Sequence, residues 1–516
     1  MTCHPVMTRR SLLSASAATA ALLLAGARPV FAQGKTNLVL RVSKSAEVLD
    51  PHFRTGQVDG NVIRSIFQKL ISFKPNIYEW ELDAAESIEQ VSPTEIHFKL
   101  KPGQTFTDGY GEMTADDVKF TFERYAKPDA DGKISAYKDD WASLVEVKVD
   151  DKYSGRLILS EPSPALWNVA LAGGSGVIVS RKAVEALGIK HRQQPVGSGP
   201  YKVQTFEPGQ RVILAENADY SRRHPDFPTC TVQLIANPKT AELALRSGEI
   251  DFTELAIGAD PSLAQLPNVK LLTMPGQRFV WLGMNVEHAP LNEIKVRQAL
   301  RYSLDVDQMV DAGYEGHAKR LNAMLPDSVD GSWPDAPVYK RDVEKAKSLL
   351  AEAGQSNLSL KITILNEPAF QNMALVAQAQ LQEIGIDLQI DQREGASFWS
   401  AGKGESGKAL ELFILRFNAH VDANFNTRFF QTDQIGDWNW QRWSSPEFDA
   451  LHKASSANMD HDARMAQIRD MQKIMDQSAA FVWLTNEVVN YGHSKAIVPA
   501  IMPNGNDWNF HYFKRA

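Results

Sequence analysis

The sequence predicts an α/β protein built from more than one domain. Three observations support this prediction. A chain of 516 residues is too long for one ordinary hydrophobic core, and helical and strand patterns alternate along it. No internal repeat or low-complexity tract interrupts this alternation. A content of 43% apolar and 23% charged residues is typical of a globular protein.

Residues 1–32 are predicted to be a signal peptide. Arg9 and Arg10 precede an apolar run, and Ala32 ends a small-x-small cleavage pattern. The run is too short and too weakly apolar for a membrane anchor, and no cysteine follows the cleavage site to carry a lipid. The paired arginines resemble a twin-arginine motif, which leaves twin-arginine and general secretory export both open. We therefore expect a periplasmic protein that begins at Gln33.

The next elements are strands and a capped helix. Leu38–Val42 and Ile96–Leu100 alternate with period two, which predicts half-buried strands. Thr114 and Asp117 form a capping box that predicts a helix start. Apolar residues three or four positions apart place one face of this helix against a core: Val118, Phe122 and Tyr125.

The second half of the chain contains a predicted βαβ unit. A helix from Asp342 ends at Gly354, and Leu358–Leu365 follows as a strand. A second helix at Asn372–Ile384 leads to a strand at Ile386–Ile390. Two strands joined by a helix predict parallel pairing.

The C-terminal part is predicted to hold two helices, one strand and a loop. The helices span Ser445–Ala457 and Asp460–Ala479, and Phe481–Leu484 is an apolar strand. Pro499–Asn509 is rich in Pro, Gly and Asn, which predicts a loop.

Two glycine-rich segments resemble catalytic motifs but lack essential features. Residues 402–409 nearly match a phosphate-binding loop, yet Ala409 replaces the hydroxyl residue, and Ala409–Phe417 has the pattern of a strand rather than a helix. We predict an exposed glycine-rich hairpin there. Gly197–Gly199 is not a hydrolase elbow, because Pro200 obstructs a following helix, and a tight turn is predicted.

Composition excludes several other functions. A net charge of −7 disfavours nucleic acid as a partner, and no later segment resembles a membrane span. The histidines lack the close spacing of metal ligands, and Cys230 would be the single cysteine after cleavage, so we predict no metal, cofactor or disulfide. No catalytic residues are predicted. The tryptophans of one short segment favour core packing over a ligand wall: Trp438, Trp440 and Trp443.

Six motifs in one order resemble bacterial solute-binding family five, which includes dipeptide, oligopeptide and nickel receptors of ABC importers. These motifs, which follow Leu49–His52, are FKLKPG (98–103) with FTDG (106–109), TADDV (114–118), GSGPY (197–201), LRSGEID (245–251), VRQAL (296–300) and AKSLLAEAG (346–354). The resemblance implies a two-lobed, Venus-flytrap binding protein with an extra small domain inserted in lobe one.

The resemblance also implies domain limits. Lobe one would comprise 33–67, 187–277 and 487–516, the extra domain 68–186, and lobe two 278–486. Two crossovers would form the hinge: Phe279–Met284 and Trp483–Glu487.

The function implied is a monomeric receptor that captures a small solute, with a peptide favoured, and delivers it to ABC permease subunits with their ATPases. An opine, sugar, haem or metal chelate remains open as the ligand. A periplasmic hydrolase or a chaperone-like protein is the alternative of another class, but no nucleophile here has a recognisable base.

The ligand-binding residues implied by the resemblance follow the apolar strand, where peptide-binding relatives place an Asp that pairs with the α-amine. This sequence has Asn418, Ala419 or His420 at that place, and only a shift brings in Asp422. We predict Phe417 as an apolar wall, Asn418 as a neutral hydrogen-bonding group and His420 as a further ligand contact. A plain surface loop is the alternative interpretation of this segment. Asp422 would be a cation partner, and Arg416 would face an acidic group of the ligand.

Overall fold

A computed structural model describes residues 35–54, 56–129, 131–327 and 329–516. The predicted signal peptide at 1–32 lies outside these residues. No helix in the described ranges combines the length and the hydrophobicity needed to cross a membrane. Cys230 is a buried free thiol.

The α-helices are short and distributed along the described chain. They are α1 Gln57–Ile66, α2 Ala115–Arg124, α3 Arg181–Leu187, α4 Pro238–Ser247, α5 Ile294–Ser303, α6 Val306–Tyr314, α7 Val343–Glu352, α8 Pro368–Gln382, α9 Gly395–Ala401, α10 Ala423–Thr427, α11 Pro446–Ala457 and α12 His461–Gln477.

The strands alternate with these helices, as the predicted α/β class requires. They are β1 Asn37–Val42, β2 Ile71–Phe73, β3 Trp80–Leu82, β4 Ala85–Ser92, β5 Glu95–Leu100, β6 Thr105–Phe106, β7 Gly111–Glu112, β8 Leu144–Val149, β9 Ser154–Leu159, β10 Tyr201–Glu207, β11 Arg211–Glu216, β12 Thr229–Leu234, β13 Phe252–Leu255, β14 Val269–Met284, β15 Leu358–Leu365, β16 Ile386–Arg393, β17 Leu412–Asn418, β18 Phe481–Ser494, β19 Ile497–Val498 and β20 Lys514–Arg515.

Ten strands form one mixed sheet in the order β10-β11-β12-β1-β13-β18-β14-β17-β15-β16. The predicted βαβ unit is confirmed, because β15 and β16 pair in parallel with Leu358 opposite Ile386. Its helix begins at Pro368, ahead of the predicted Asn372. Proline suits the first turn of a helix because it has no N–H to leave unpaired.

Three large hydrophobic clusters organise the described residues. The first core takes its residues from both ends and the middle of the chain, including Leu38, Val62, Tyr201, Phe252, Tyr491 and Phe510. The second core lies within one stretch and includes Leu70, Phe98, Phe122, Trp141, Leu171 and Val196. The third core includes Trp281, Leu300, Phe370, Leu381, Phe413 and Trp440. The domain limits stay a proposal, which this clustering supports.

The second core packs against a four-stranded antiparallel sheet, β4-β5-β9-β8. The helix α2 begins at the predicted capping box: the Asp117 carboxylate accepts hydrogen bonds from the amide and the hydroxyl of Thr114, both at 2.9 Å. The predicted apolar face is buried at Val118, Phe122 and Tyr125.

Two long strands connect the first and third cores. The 16 residues of β14 pair antiparallel with the 14 residues of β18, with Leu272 opposite Tyr491 and Trp281 opposite Trp483. The pairing is irregular between Pro275 and Trp281. The strand β18 runs to Ser494, well beyond the predicted Phe481–Leu484. The prediction was too short because polar residues in the second half of the strand interrupt the apolar run.

Two glycine-rich predictions are corrected. Gly404–Ala409 is a 3-10 turn rather than a hairpin, because the preceding element is the helix α9 and not a strand. Gly197–Gly199 passes close to the end of α1 instead of forming a tight turn: the Gly199 amide donates to the Ile66 carbonyl at 3.0 Å. A Cβ atom at Gly197 would lie 1.7 Å from that same oxygen.

Candidate functional site

A cavity of about 560 Å³, here called the central cavity, lies where the three cores meet. Residues beside the first core, the second core and the third core all contribute to its wall. Examples from the three sides are Arg54 and Asp507, Tyr137 and Asp140, and Asn418 and Arg428. A site built from three separately packed units changes shape when the units move relative to one another.

The end of the strand β17 and the residues after it form one part of this wall. Side chains alternate along a strand, so Arg416 and Asn418 lie on one face and Phe417 on the other. Asn418 lines the central cavity, whereas Phe417 is buried in the third core against Trp281 and Phe429. The predicted apolar wall at Phe417 is therefore a packing residue in this structure.

Arg416 is held by two carboxylates of the protein. Its guanidinium donates to Glu367 at 2.7 and 2.8 Å and to Glu487 at 2.8 Å. Burial opposes the charge, but Glu487 and Glu367 outweigh this effect and hold the pKa of Arg416 above its ordinary value. Its charge is thus matched without a ligand.

His420 lines the central cavity and packs its ring against Phe425, with 3.7 Å between the centroids. Burial lowers the pKa of His420 to about 3; the positive charges of Arg428 and Arg54 add to this effect and Asp507 opposes it. The imidazole is therefore neutral at physiological pH, with one donor and one acceptor nitrogen.

Asp422 lies away from the central cavity, in a buried ion pair. Nη2 of Arg464 donates to both carboxylate oxygens at 2.7 and 2.8 Å, and the Asn424 amide donates to one of them at 3.0 Å. The carboxylate thus caps α10 and ties it to α12. This geometry leaves the charge of Asp422 neutralised inside the protein.

The structure brings to the central cavity two arginines that the sequence analysis did not single out. Arg54 lies over the ring of Tyr137, 4.1 Å from its centroid, and Arg428 lies 3.5 Å from the centroid of Phe425. In the described part of the chain, neither side chain makes an ion pair or a hydrogen bond, and Nε of Arg54 is buried without a partner. No local motif marks either residue, so the sequence offered no signal for them.

The other two arginines of the central cavity do have partners. Arg64 pairs with Asp507 at 2.7 Å, and Arg278 pairs with Glu487 at 3.2 Å. The unmatched positive charge therefore resides on Arg54 and Arg428.

Asp140 faces these two arginines from the side of the second core. The Ser175 hydroxyl donates to its carboxylate at 2.8 Å. Burial raises the pKa of Asp140 to about 6, although Ser175, Arg54 and Arg428 act in the opposite direction. A fraction of the Asp140 carboxyl groups is therefore protonated, and uncharged, just below neutral pH.

A second cavity of about 810 Å³, here called the outer cavity, shares Asp139 and Asp140 with the central cavity. It lies between the sides of the second and third cores. Besides the two shared aspartates, three more carboxylates line it, from Glu161, Asp433 and Asp449. Among its described lining residues, Lys453 is the single lysine or arginine. The cleft formed by the two cavities is therefore basic at one end and acidic at the other.

Comparison with known proteins places this architecture in a family. Residues 79–459 match the model of bacterial extracellular solute-binding proteins, family 5, middle. The chain is 28% identical over 481 residues to the probable D,D-dipeptide-binding periplasmic protein DdpA of Escherichia coli K12, covering 90% of this chain and 91% of that one.

Solved structures of solute-binding proteins have the same fold as this chain. The periplasmic binding protein DppA of Helicobacter pylori, in complex with the peptide STSA, has a TM-score of 0.74 at 25% identity, over 93% of this chain and 98% of that one. MoaA of A. tumefaciens R10, in complex with mannopinic acid, has a TM-score of 0.74 at 26% identity, over 93% of this chain and 100% of that one. The chain belongs to the bacterial extracellular solute-binding proteins of family 5, as a periplasmic, non-enzymatic receptor of an ABC transporter for a small solute.

Proposed function

We propose that this receptor captures a short peptide in the cleft formed by the central and outer cavities and delivers it to its permease. The observation that carries the proposal is the charge distribution of the cleft. Two arginines without ion-pair partners lie in the central cavity, and five carboxylates line the outer cavity. A zwitterion such as a peptide complements both ends, whereas a neutral sugar complements neither.

The size of the site supports the same class of ligand. A central cavity of about 560 Å³ lies within the range of roughly 300–1,000 Å³ for sites that enclose small molecules. The adjoining outer cavity gives room for a chain longer than two residues.

The relatives point in the same direction. DdpA is named for D,D-dipeptides, and the H. pylori receptor was solved with a tetrapeptide. MoaA was solved with mannopinic acid, so an opine is the second candidate, and it too fits a cleft with unpaired arginines.

Recognition of the peptide amine is expected to differ from the usual arrangement of the family. Asn418, Ala419 and His420 line the central cavity, while the Asp422 carboxylate is occupied by Arg464. We propose Asn418 and His420 as neutral hydrogen-bonding groups and the carboxylates of the outer cavity as the partners of the amine.

The proposed mechanism is closure of the lobes around the solute. The lobes would be 33–67 with 187–277 and 487–516, and 278–486, with the extra domain at 68–186 on lobe one. Closure removes the solute from water, which strengthens its polar contacts, and the closed form is what the permease subunits recognise.

A peptide pool tests this proposal. The protein is incubated with a tryptic digest of casein and freed of unbound material by gel filtration, and the retained peptides are identified by mass spectrometry. Peptides should be retained in about one molar equivalent. Retention of none, together with an unchanged thermal midpoint, would contradict a peptide ligand.

Two variants provide the control for the site. Ala419 lines the central cavity, so Ala419→Trp should fill it and reduce retention at least tenfold. Ala351→Trp on the exposed side of α7 should retain as much as the wild type. Equal retention by both variants would place the solute elsewhere.

A further inference from the structure

We propose that Arg54 and Arg428, from opposite sides of the central cavity, together hold a carboxylate of the captured solute. This inference rests on the proposed function and names the part of the solute that the cavity recognises. It also assigns a role to two residues outside the segment 416–422.

Arg54 is held in place without being neutralised. Its guanidinium lies over the Tyr137 ring and against Gly174, where a Cβ atom would lie 2.5 Å from Nη2. A guanidinium packed by its face on an aromatic ring keeps its edge donors free for an acceptor. The buried Nε has no acceptor among the described residues, and such an unmet donor destabilises the empty protein.

Arg428 is arranged in the same way on the side of the third core. It lies over the rings of Phe425 and Phe429, 3.5 and 5.0 Å from their centroids. Burial lowers the pKa of Arg428, which means that its charge is poorly solvated, and Asp140 and Asp139 only partly offset this effect.

The two arginines share one electrostatic environment. Both act on Asp140 and on His420, so their charges converge on the same part of the cavity. Arg64 and Arg278 also line this cavity, but each already has an ion-pair partner. An incoming anion therefore gains most beside Arg54 and Arg428.

A carboxylate fits this arrangement better than a single acceptor atom. Its two oxygens offer several lone pairs in one plane, which match the fork of a guanidinium, and they can accept from two guanidiniums together. Because the two arginines belong to different sides of the cleft, the same carboxylate would also stabilise the closed form relative to the open one.

Chemical blocking of carboxylates provides the test. The casein peptide pool is used intact and after esterification of all its carboxylates with acidic methanol. The readout is the pool concentration that half-saturates the rise in thermal midpoint. For the wild type, esterification should raise this concentration about ten- to a hundredfold, the loss expected for hydrogen bonds to a charged group.

Matched variants separate the two arginines from the rest of the protein. Arg54→Gln and Arg428→Gln should each raise the half-saturating concentration of the intact pool about ten- to a hundredfold, and each should respond less than the wild type to esterification. Lysine at either position should restore part of the affinity, because it keeps the charge but not the fork. Arg181→Gln, in an exposed ion pair with Glu185, is the control and should behave as the wild type.

Stability distinguishes a recognition role from a structural one. Among the described residues neither arginine has an ion-pair or hydrogen-bond partner to lose, so each glutamine variant should change the thermal midpoint of the empty protein by no more than the loss of its ring contact explains. If both pools saturate the wild type at the same concentration, the proposal that Arg54 and Arg428 hold a carboxylate is overturned, while the proposal of a peptide receptor stands. If neither pool raises the thermal midpoint of the wild type, both the peptide proposal and the proposed carboxylate site are contradicted. If a variant unfolds, the two pools on the wild type still decide.

Discussion

Asp422 and Arg464 are a buried pair whose two members depend on each other. Their exposed fractions are 3% and 6%, and the pair joins α10 to α12. Removing one member leaves the other charge buried and uncompensated. We expect Asp422→Ala to lower the free energy of unfolding by about 3–5 kcal/mol, measured by urea denaturation, with little effect on peptide affinity of the folded protein.

A double-mutant cycle checks this assignment. Arg464→Ala should cost about as much as Asp422→Ala, and the double variant should cost little more than either one. Additive losses would show that the two side chains act separately. Wild-type stability with weakened peptide binding would return Asp422 to the ligand site.

Asp140 gives the protein a predictable dependence on pH. Its pKa is raised from 3.8 to about 6, so the folded state keeps this proton between pH 4 and 6 while the unfolded state loses it. The stabilisation is complete below about pH 4 and disappears as pH rises through 6. Asp140→Asn should therefore flatten this decline and stabilise the protein by about 2–3 kcal/mol at pH 7.

Thermal unfolding at pH 4, 5, 6 and 7 measures this effect. The exposed neighbour Asp139 is the matched control, and Asp139→Asn should follow the wild-type profile within about 0.5 kcal/mol. If the stability of Asp140→Asn falls with pH in parallel with the wild type, Asp140 is not the source of the pH dependence.

For single residues, the sequence led to one wall of the central cavity but not to the charges beside it. The strand pattern and the family resemblance led to Asn418 and His420, which line the cavity. Arg54 and Arg428 could not be recognised, because an arginine becomes unusual only when the folded protein offers it no carboxylate within ion-pair distance. That property depends on packing between distant segments.

Among the elements, the contact between α1 and the segment Gly197–Gly199 leaves no room for a side chain. A Cβ atom at Gly197 would lie 1.7 Å from a backbone oxygen, which cannot move without shifting the end of α1. Gly197→Ala should lower the free energy of unfolding by about 3 kcal/mol or more. Chemical denaturation measures the loss.

Gly395→Ala is the matched control for this substitution. Gly395 is the first residue of α9, and a Cβ atom there meets nothing within 4 Å. The change should leave stability the same or raise it by up to about 1 kcal/mol, because alanine favours helix. Equal losses at both positions would show that the close approach at Gly197 is relieved by small movements.

Elements with strong local signals were the ones predicted well. Asp342, Ser445 and Asp460 each cap the helix that the sequence placed after them. The strand β18 was underestimated because Asn486, Glu487 and Asn490 look like loop residues. Pairing with β14 and β13 overrides that local preference.

For the molecule as a whole, the main prediction is closure on ligand. The first and third cores are joined through β14 and β18, and the central cavity lies between their sides. Saturation with the casein peptide pool should reduce the radius of gyration measured by small-angle X-ray scattering.

The variant with a filled cavity is the control for this measurement. Ala419→Trp should give the same scattering with and without the pool. An unchanged wild-type profile at saturating peptide would contradict closure, while leaving binding itself intact.

The composition of the first core also determines when it can form during synthesis. Phe252 packs against Tyr491, Trp508 and Phe513, with ring centroids 4.8, 4.9 and 5.3 Å away. These three rings lie far beyond Phe252 in the sequence and are translated after every residue of the second and third cores. The core that contains the earliest described strand, β1, therefore closes last, through contacts between distant segments that form slowly. Any export route that carries a folded protein has to wait until Phe513 has left the ribosome.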